Sequence, residues 1–164
     1  MAAHEEIYVP PAVEDVLPEE VVRCLDGSDL ETKAKEAIRI STVDSDGWPH
    51  AAQVSAGEML AVSGQEILLA IWPDSSTSKN LRRDRRLTLA FAHQGALLES
   101  RCIAELVAEG QKLSIFRITV KQVNVHRSQY AEVVSGIVFR LHDPSRTIKR
   151  WKEQIAVLKS FVKS

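Results

Sequence analysis

Hydrophobic and polar residues alternate along the middle of the chain with the two-residue period of half-buried β-strands. This alternation predicts a strand that begins at Ile38, a second strand over residues 49–55 and a third over residues 66–72. Residues 44–47 (Asp-Ser-Asp-Gly) separate the first two strands, and they combine carboxylates that bond their own backbone with a glycine that tolerates positive φ. We therefore expect a hairpin here.

The second half of the chain continues the pattern. Residues 87–91 alternate again, residues 97–107 form another strand after a turn at Gln94 and Gly95, and residues 137–141 form the last strand. Between them, apolar side chains occupy even-numbered positions from 116 to 120 but odd-numbered positions at 123 and 125. This change of phase predicts a β-bulge near Lys121 and Gln122.

Short helices are predicted before and between the strands. Pro18 suits the first turn of one helix. Ser28 and Glu31 have the S-x-x-E spacing of a capping box, which predicts a second helix that runs through Ala37. A third helix is predicted over residues 75–83, after a proline-containing break in the chain.

The C-terminal segment has the clearest helical pattern. Asp143 suits the N-cap and Pro144 the first turn of a helix over residues 144–163. Its apolar residues recur at spacings of three and four and predict a buried stripe: Ile148, Trp151, Ile155, Leu158 and Val162.

Six or seven strands with few long helices predict a mainly β fold, an antiparallel barrel flanked by helices. Most strands follow one another without room for a crossover helix, which argues against a parallel sheet. The 164 residues suit one domain, in which residues 1–12 form a polar, proline-interrupted arm.

Composition narrows the classes of function. The net charge of −1 gives no general attraction to nucleic acid, and the arginine-rich run over residues 82–86 is read as a solvated helix end. No apolar run reaches the ~18 residues of a membrane span. The acidic N-terminus is unlike a signal peptide, so Cys24 and Cys102 are read as reduced thiols in a cytoplasmic protein. Cys102, in an alternating strand, is expected to be buried and inert.

The segment most suggestive of chemistry is residues 75–80, Ser-Ser-Thr-Ser-Lys-Asn, which follows a strand that ends at Trp72. Hydroxyl groups, a lysine and the free N–H groups of a helix start are the parts of a phosphate site. An N-capped surface helix with a solvated lysine explains the same residues. The common motifs of nucleotide phosphate binding, G-x-x-x-x-G-K-[ST] and G-x-G-x-x-G, do not occur in the sequence.

Two segments together resemble a known family. Residues 46–50 (Asp-Gly-Trp-Pro-His) and residues 77–84 (Thr-Ser-Lys-Asn-Leu-Arg-Arg-Asp) are similar to motifs of the pyridoxamine 5'-phosphate oxidase-like family of FMN-binding split barrels. The similarity extends over about residues 38–107. It implies a homodimer with FMN at the subunit interface, and an oxidoreductase that acts on a small molecule.

The resemblance also implies which residues contact the cofactor. Residues of the second strand would face the flavin ring, the end of the third strand would lie along it, the following loop would hold the phosphate, and a later strand would add a polar contact. In that order, the candidates are Gln53, Val54 and Ser55; Trp72 and Pro73; Thr77, Ser78, Lys79 and Asn80; and Arg101.

The sequence departs from the family pattern at three phosphate-contacting positions. Ala52 and Gly57 stand where the oxidases have an arginine and a lysine on the second strand, and Ser78 stands where they have an arginine. A non-catalytic binding or sensor module, or a protein that uses a deazaflavin or haem, therefore stays open. Residues 140–143 (Arg-Leu-His-Asp) are similar to a substrate motif of the oxidases, but a strand-to-helix junction explains them equally well.

Overall fold

The structure is a computed structural model that describes residues 7–164, so residues 1–6 of the predicted arm lie outside the described residues. The strands are β1 (Ala12–Glu14), β2 (Glu36–Val43), β3 (Pro49–Val54), β4 (Met59–Ala61), β5 (Glu66–Ile71), β6 (Arg86–His93), β7 (Ala96–Glu109), β8 (Ser114–His126) and β9 (Ile137–Val138). The helices are α1 (Glu19–Cys24), α2 (Leu30–Lys33), α3 (Ser76–Arg83) and α4 (Pro144–Lys159).

Seven strands form one antiparallel path in the order β3-β2-β6-β7-β8-β5-β4, and β1 and β9 add to its sides on β8 and β2. This curled sheet confirms the predicted mainly β, split-barrel architecture. Strand β3 pairs only with β2 along this path, so within residues 7–164 its other edge has no strand partner. The ends of the path define the split of the barrel.

The core fills the inner face of the sheet. Alternate residues of the strands are fully buried, as the two-residue period predicts, and examples are Ile40, Ile67, Leu89 and Phe116. The stripe of α4 covers one end of this core through Ile148, Trp151, Ile155 and Leu158. No helix of the described chain is long and apolar enough to cross a membrane.

Several local predictions are confirmed. The Asp44 carboxylate accepts hydrogen bonds from the N–H groups of Asp46 and Trp48 at 2.9 Å, and Gly47 has a φ of 86°. The predicted bulge lies in β8. Arg101 faces Gln122 while Cys102 faces Val120, so Lys121 is the extra residue.

The predicted second helix is wrong in its cap and its length. Helix α2 ends at Lys33, and Ala37 is a buried residue of β2. The Ser28 hydroxyl donates to the Asp26 carboxylate at 2.6 Å and does not cap the helix. Asp29, in the left-handed conformation, precedes the first helical residue.

Two other boundaries and one short strand differ from the sequence prediction. The last strand is only two residues long, although Phe139 and Leu141 still pack against the core. Helix α4 ends before Val162, which is half-exposed and not part of the stripe. Strand β1 was not predicted, because its three residues are all exposed and have no apolar alternation.

Candidate functional site

Helix α3 spans the split of the barrel. It follows β5 at one side of the sheet, and at the other side the Asn80 side chain donates to the Thr42 hydroxyl of β2 at 2.9 Å. The connection from Trp72 to Ser75 therefore lies at the opening between the two ends of the sheet. The predicted cofactor residues of the third strand and of the following loop meet in this region.

Most polar side chains at the start of α3 are used by the fold itself. The hydroxyls of Ser75 and Ser78 both donate to the Trp72 carbonyl, at 2.9 and 2.7 Å, and Ser75 also caps the helix by accepting from the Ser78 N–H. Ser78 is completely buried. Asn80 is buried and bonded to Thr42. Ser78 and Asn80 thus stabilise the helix junction, and neither presents its side chain to the solvent.

Lys79 and the first-turn backbone are the groups that this segment leaves available. Lys79 is exposed, and no ion pair joins it to a residue of the described chain. The first N–H groups of any α-helix lack carbonyl partners within the helix. Thr77 is buried nearby. A phosphate at this position would therefore depend on Lys79 and on main-chain N–H groups.

The arginine run after this segment is exposed at Arg83, Arg85 and Arg86, as predicted for a solvated helix end, but most of its side chains are also bonded to the fold. Arg82 donates to the Pro73 carbonyl and the Ser114 hydroxyl, and Arg83 reaches the Val43 carbonyl. The guanidinium of Arg85 donates to the Ala104 carbonyl at 2.9 Å. These arginines connect α3 to the strands around it.

The last arginine of the run, Arg86, pairs with an acidic residue. Its hydrogen bonds to Asp84, at 2.7 and 2.8 Å, hold the pKa of that carboxyl at about 2. The charge of Arg86 is therefore paired locally.

Strand β3 presents its candidates in different directions. Gln53 is exposed and pairs with Arg39 on the outer face of the sheet. Val54 is buried in the core, so only its backbone is available to a ligand. Ser55 is buried in the turn that leads to β4.

That turn contains a half-buried carboxylate that sequence reasoning missed. Glu58 accepts hydrogen bonds from the Ser55 N–H at 2.7 Å and from its hydroxyl at 3.0 Å. Burial raises the pKa of Glu58, although these bonds and the charge of Arg150 act in the opposite direction. Because the Glu58 carbonyl also accepts from the Ala70 N–H, the turn is tied to the end of β5.

Arg101 lies apart from the α3 start, on the outer face of the sheet. It contributes with Arg86 and Lys121 to a shallow cavity of about 390 Å³ on strands β2, β6, β7 and β8. Glu99 lies 3.4 Å from its guanidinium. Gln53 and Arg101 therefore share the outer face, whereas Trp72, Pro73 and Lys79 lie at the split.

Helix α4 forms the wall of a larger cavity that the sequence did not predict. This cavity, of about 750 Å³, is lined on one side by Trp72, Pro73, Asp74 and Ser75, and on the other by Arg150, Glu153, Gln154 and Val157. Gln154 is only 6% exposed, and its Oε1 is buried without a hydrogen-bond partner among the described residues. An unsatisfied buried polar atom costs about 1–3 kcal/mol. The sequence did carry a signal, since Gln154 interrupts the apolar stripe at a position three residues after Trp151.

Two further chemical classes find no support at the site. Cys102 is buried, as predicted, and burial raises the pKa of its thiol to about 12, so it is not a nucleophile at neutral pH. Within residues 7–164, no group of three histidine, cysteine or carboxylate side chains is placed to hold a metal ion.

Comparison with known proteins places this geometry in a family. A family model described as pyridoxamine 5'-phosphate oxidase matches residues 28–142, which is most of the chain. The chain belongs to the pyridoxamine 5'-phosphate oxidase family. The match begins just before α2 and ends just before α4, so the cavity wall formed by α4 lies beyond the matched region.

Named relatives agree with the family and the fold. An uncharacterized protein of Bacillus subtilis (strain 168), YclD, is 35% identical over 139 residues, which cover 82% of this chain and 90% of YclD. A crystal structure from Lactobacillus delbrueckii, solved as a candidate pyridoxamine 5'-phosphate oxidase, is 16% identical with a TM-score of 0.53, and covers 70% of this chain and 98% of its own. HupZ of Group A Streptococcus is 15% identical with a TM-score of 0.52, and covers 71% and 99%. The two structures share the fold of this member of the oxidase family.

The structure explains one departure from the oxidase family pattern. A Cβ atom on Gly57, where the family pattern has a lysine, would lie 2.0 Å from Trp151 Cγ of α4. Trp151 is buried, so no side chain fits at position 57 while α4 is docked. A lysine at position 57 and the docked position of Trp151 therefore exclude each other.

Proposed function

We propose that this protein is a homodimeric flavoprotein that binds FMN at the subunit interface and acts as an oxidoreductase on a small molecule. Family membership makes a flavin the expected cofactor. The observation that carries the proposal is the arrangement at the split, where exposed Trp72 and unpaired Lys79 flank the start of α3.

The residues present fit FMN in a specific way. Lys79 would bind the phosphate together with first-turn N–H groups, the free edge of β3 would offer backbone donors and acceptors to the ring, and Trp72 with Pro73 would line it. The side chains of Ser78 and Asn80 would not contribute, because both are bonded within the fold. When bound, the flavin supplies hydride or electron transfer, and the chain binds and orients it.

A second subunit would complete the proposed site. Exposed apolar and aromatic side chains surround one cavity next to β7 and β8, among them Ile7, Tyr8, Leu97 and Tyr130. Clusters of this kind on a small protein are typical of protein–protein interfaces. Sedimentation equilibrium is expected to give a dimer, and a monomer with full FMN affinity would contradict the interface.

The test begins with the absorption spectrum of the purified protein, followed by titration with FMN. Flavin, deazaflavin and haem have different visible spectra, so the alternative cofactors are outcomes of the same measurement. A colourless protein that binds no added FMN would contradict the proposal. If flavin binds but no nicotinamide donor reduces it, the result would favour the non-catalytic module. The departures from the family pattern at Ala52, Gly57 and Ser78 support that alternative.

Lys79→Ala tests the position of the phosphate. Loss of one charge-assisted hydrogen bond, about 1.5–3 kcal/mol, weakens FMN binding roughly ten- to a hundredfold. Folding stability should change little, because Lys79 is exposed and unpaired. Lys35→Ala, at another exposed lysine, is the matched control and should leave the affinity unchanged. Equal affinity of the two variants would mean that the phosphate binds elsewhere.

A further inference from the structure

The turn that follows β3 is closed by a carboxylate of its own. Glu58 accepts hydrogen bonds from the Ser55 N–H at 2.7 Å and from the Ser55 hydroxyl at 3.0 Å, and its own N–H donates to the Ser55 carbonyl at 3.0 Å. The Ser55 hydroxyl also accepts from the Gly57 N–H at 3.3 Å. These bonds join the first and last residues of the turn, and they fix the path of the backbone as it leaves β3.

This turn connects the two ends of the sheet. Strands β3 and β4 lie at opposite ends of the seven-strand path, yet they follow each other in the chain, and residues 55–58 are the whole connection between them. The Glu58 carbonyl accepts from the Ala70 N–H of β5 at 2.9 Å, close to the point where that strand leads into Trp72. The turn therefore sets how far the end of β3 lies from the end of β5, across the split of the barrel.

Helix α4 packs on the same turn. Trp151 is buried against Gly57, where a Cβ atom would lie 2.0 Å from the indole Cγ, and the charge of Arg150 acts on Glu58. Glu58 is half-buried, and burial raises the pKa of its carboxyl. A partly desolvated carboxylate is a costly way to close a turn, and such costs are concentrated at functional sites.

We propose that Glu58 is a positioning residue for the flavin ring. Residues 53–55 are the part of β3 that the family resemblance places against the ring, and Trp72 follows the end of β5. Glu58 holds the first segment through Ser55 and the second through Ala70. The ring then enters an opening whose two walls are already in place, so binding does not have to order them. This inference rests on the proposed function, because it concerns the same flavin site.

Two substitutions at Glu58 separate its hydrogen bonds from its charge, with FMN affinity measured by titration of flavin fluorescence. Glu58→Ala removes the acceptor oxygen, so the turn loosens and must be ordered on binding, and the affinity should fall about tenfold. Glu58→Gln keeps an acceptor oxygen and should stay within about twofold of the wild type. The visible bands of the bound flavin should shift toward those of free FMN only in Glu58→Ala. Unchanged affinity in Glu58→Ala, or an equal loss in both variants, would overturn the proposal.

Glu66→Ala is the matched control for a general loss of stability. Glu66 is also half-buried, and it begins β5, at the end of the strand that is remote from Trp72. Because its carboxylate pairs with Arg117 of β8, the variant should unfold at a lower urea concentration than the wild type while it keeps the FMN affinity and spectrum. If it weakens FMN binding as much as Glu58→Ala does, Glu58 acts only through the stability of the fold, and the positioning role is wrong.

Hydrogen exchange in the protein without cofactor gives a readout that needs no flavin. The Ser55 N–H should exchange about tenfold faster in Glu58→Ala than in the wild type, and Glu58→Gln should leave the rate unchanged. An unchanged rate in Glu58→Ala would mean that the carboxylate does not hold β3, which contradicts the proposal. If the wild type binds no FMN, the proposed function fails and the positioning role fails with it. If the wild type binds FMN and Glu58→Ala binds it equally well, only the positioning role is lost.

Discussion

The two helices at the opening of the barrel treat their polar side chains in opposite ways. At the start of α3, Ser78 and Asn80 are buried and each donates to a group of the fold. On α4, Gln154 is equally buried but its oxygen has no partner among the described residues, and the exposed Arg150 lies near enough for its charge to act on Glu58. Composition alone would rank the hydroxyl-rich α3 segment first as a binding site.

The difference shows that the number of polar groups in a segment does not tell how many of them are free to bind a ligand. A hydrogen bond within the fold adds about 0.5–1.5 kcal/mol to stability and removes the group from ligand binding. An unpaired buried group lowers stability, and functional sites are where such costs are kept. The α3 start leaves Lys79 and backbone groups available, whereas the unpaired oxygen on α4, that of Gln154, is shielded from solvent.

Gly57→Ala should give the largest effect, because it breaks the α4 side of this comparison. The new methyl group would lie 2.0 Å from Trp151 Cγ, which is buried in the core. Such overpacking should lower the free energy of unfolding by about 3 kcal/mol and displace α4 from the cavity. Urea denaturation measures the loss.

The control is Gly110→Ala in the turn between β7 and β8. A Cβ atom there meets only the Leu113 carbonyl oxygen, at 3.7 Å, so the expected change is within about 0.5 kcal/mol. Similar losses for both variants would indicate that general glycine effects dominate. In that case Trp151 would not define the position of α4.

Ser78→Ala breaks the α3 side, with a smaller effect. Its hydroxyl donates to the Trp72 carbonyl at 2.7 Å, and loss of this buried bond should cost about 1 kcal/mol in unfolding free energy. FMN affinity should stay the same, in contrast to the family-based prediction that Ser78 holds the phosphate. Ser78→Ala is thus expected to lose stability but keep its FMN affinity, whereas Lys79→Ala is expected to lose FMN affinity but keep its stability. A drop in FMN affinity for Ser78→Ala, with stability intact, would restore the family assignment.

The architecture was largely readable from the sequence, because half-buried strands impose a two-residue period. Local signals failed where distant residues compete. The pattern S-x-x-E occurs at Ser28, at Ser55 and at Ser63, and the first two show this competition. At the first, Glu31 bonds to Lys152 of α4, 121 positions away, and no capping box forms. At the second, Glu58 bonds back to Ser55 in a turn without a helix.

The candidate site was less readable, for a related reason. The proline-containing break followed by serines predicts a capped helix, and this was confirmed, but the acceptor of the Ser78 hydroxyl is set by the path of the backbone at Trp72. The α4 wall was missed because a helix with an apolar stripe is ordinarily core. Gln154 lies beside the stripe, and its burial depends on the fold around it.

The smallest effect expected is a pH dependence from the turn next to that wall. Burial raises the pKa of Glu58 above its ordinary value of 4.5, so the folded state holds this proton more tightly than the unfolded state. Stability is therefore complete below 4.5 and falls as the pH rises through the folded pKa. Glu58→Gln should remove this fall, as measured by urea midpoints over a pH series.

Asp26 provides a control of opposite sign. Hydrogen bonds from Ser28 hold its pKa at about 2, below the ordinary 3.8, so its contribution is present above 3.8 and is lost as the pH falls toward 2. Asp26→Asn should thus flatten only the acid side of the curve, and by less, because that side chain is largely solvated. If Glu58→Gln left the slope above 4.5 unchanged, the carboxyl would be solvated, and the turn between β3 and β4 would be looser than its hydrogen bonds indicate.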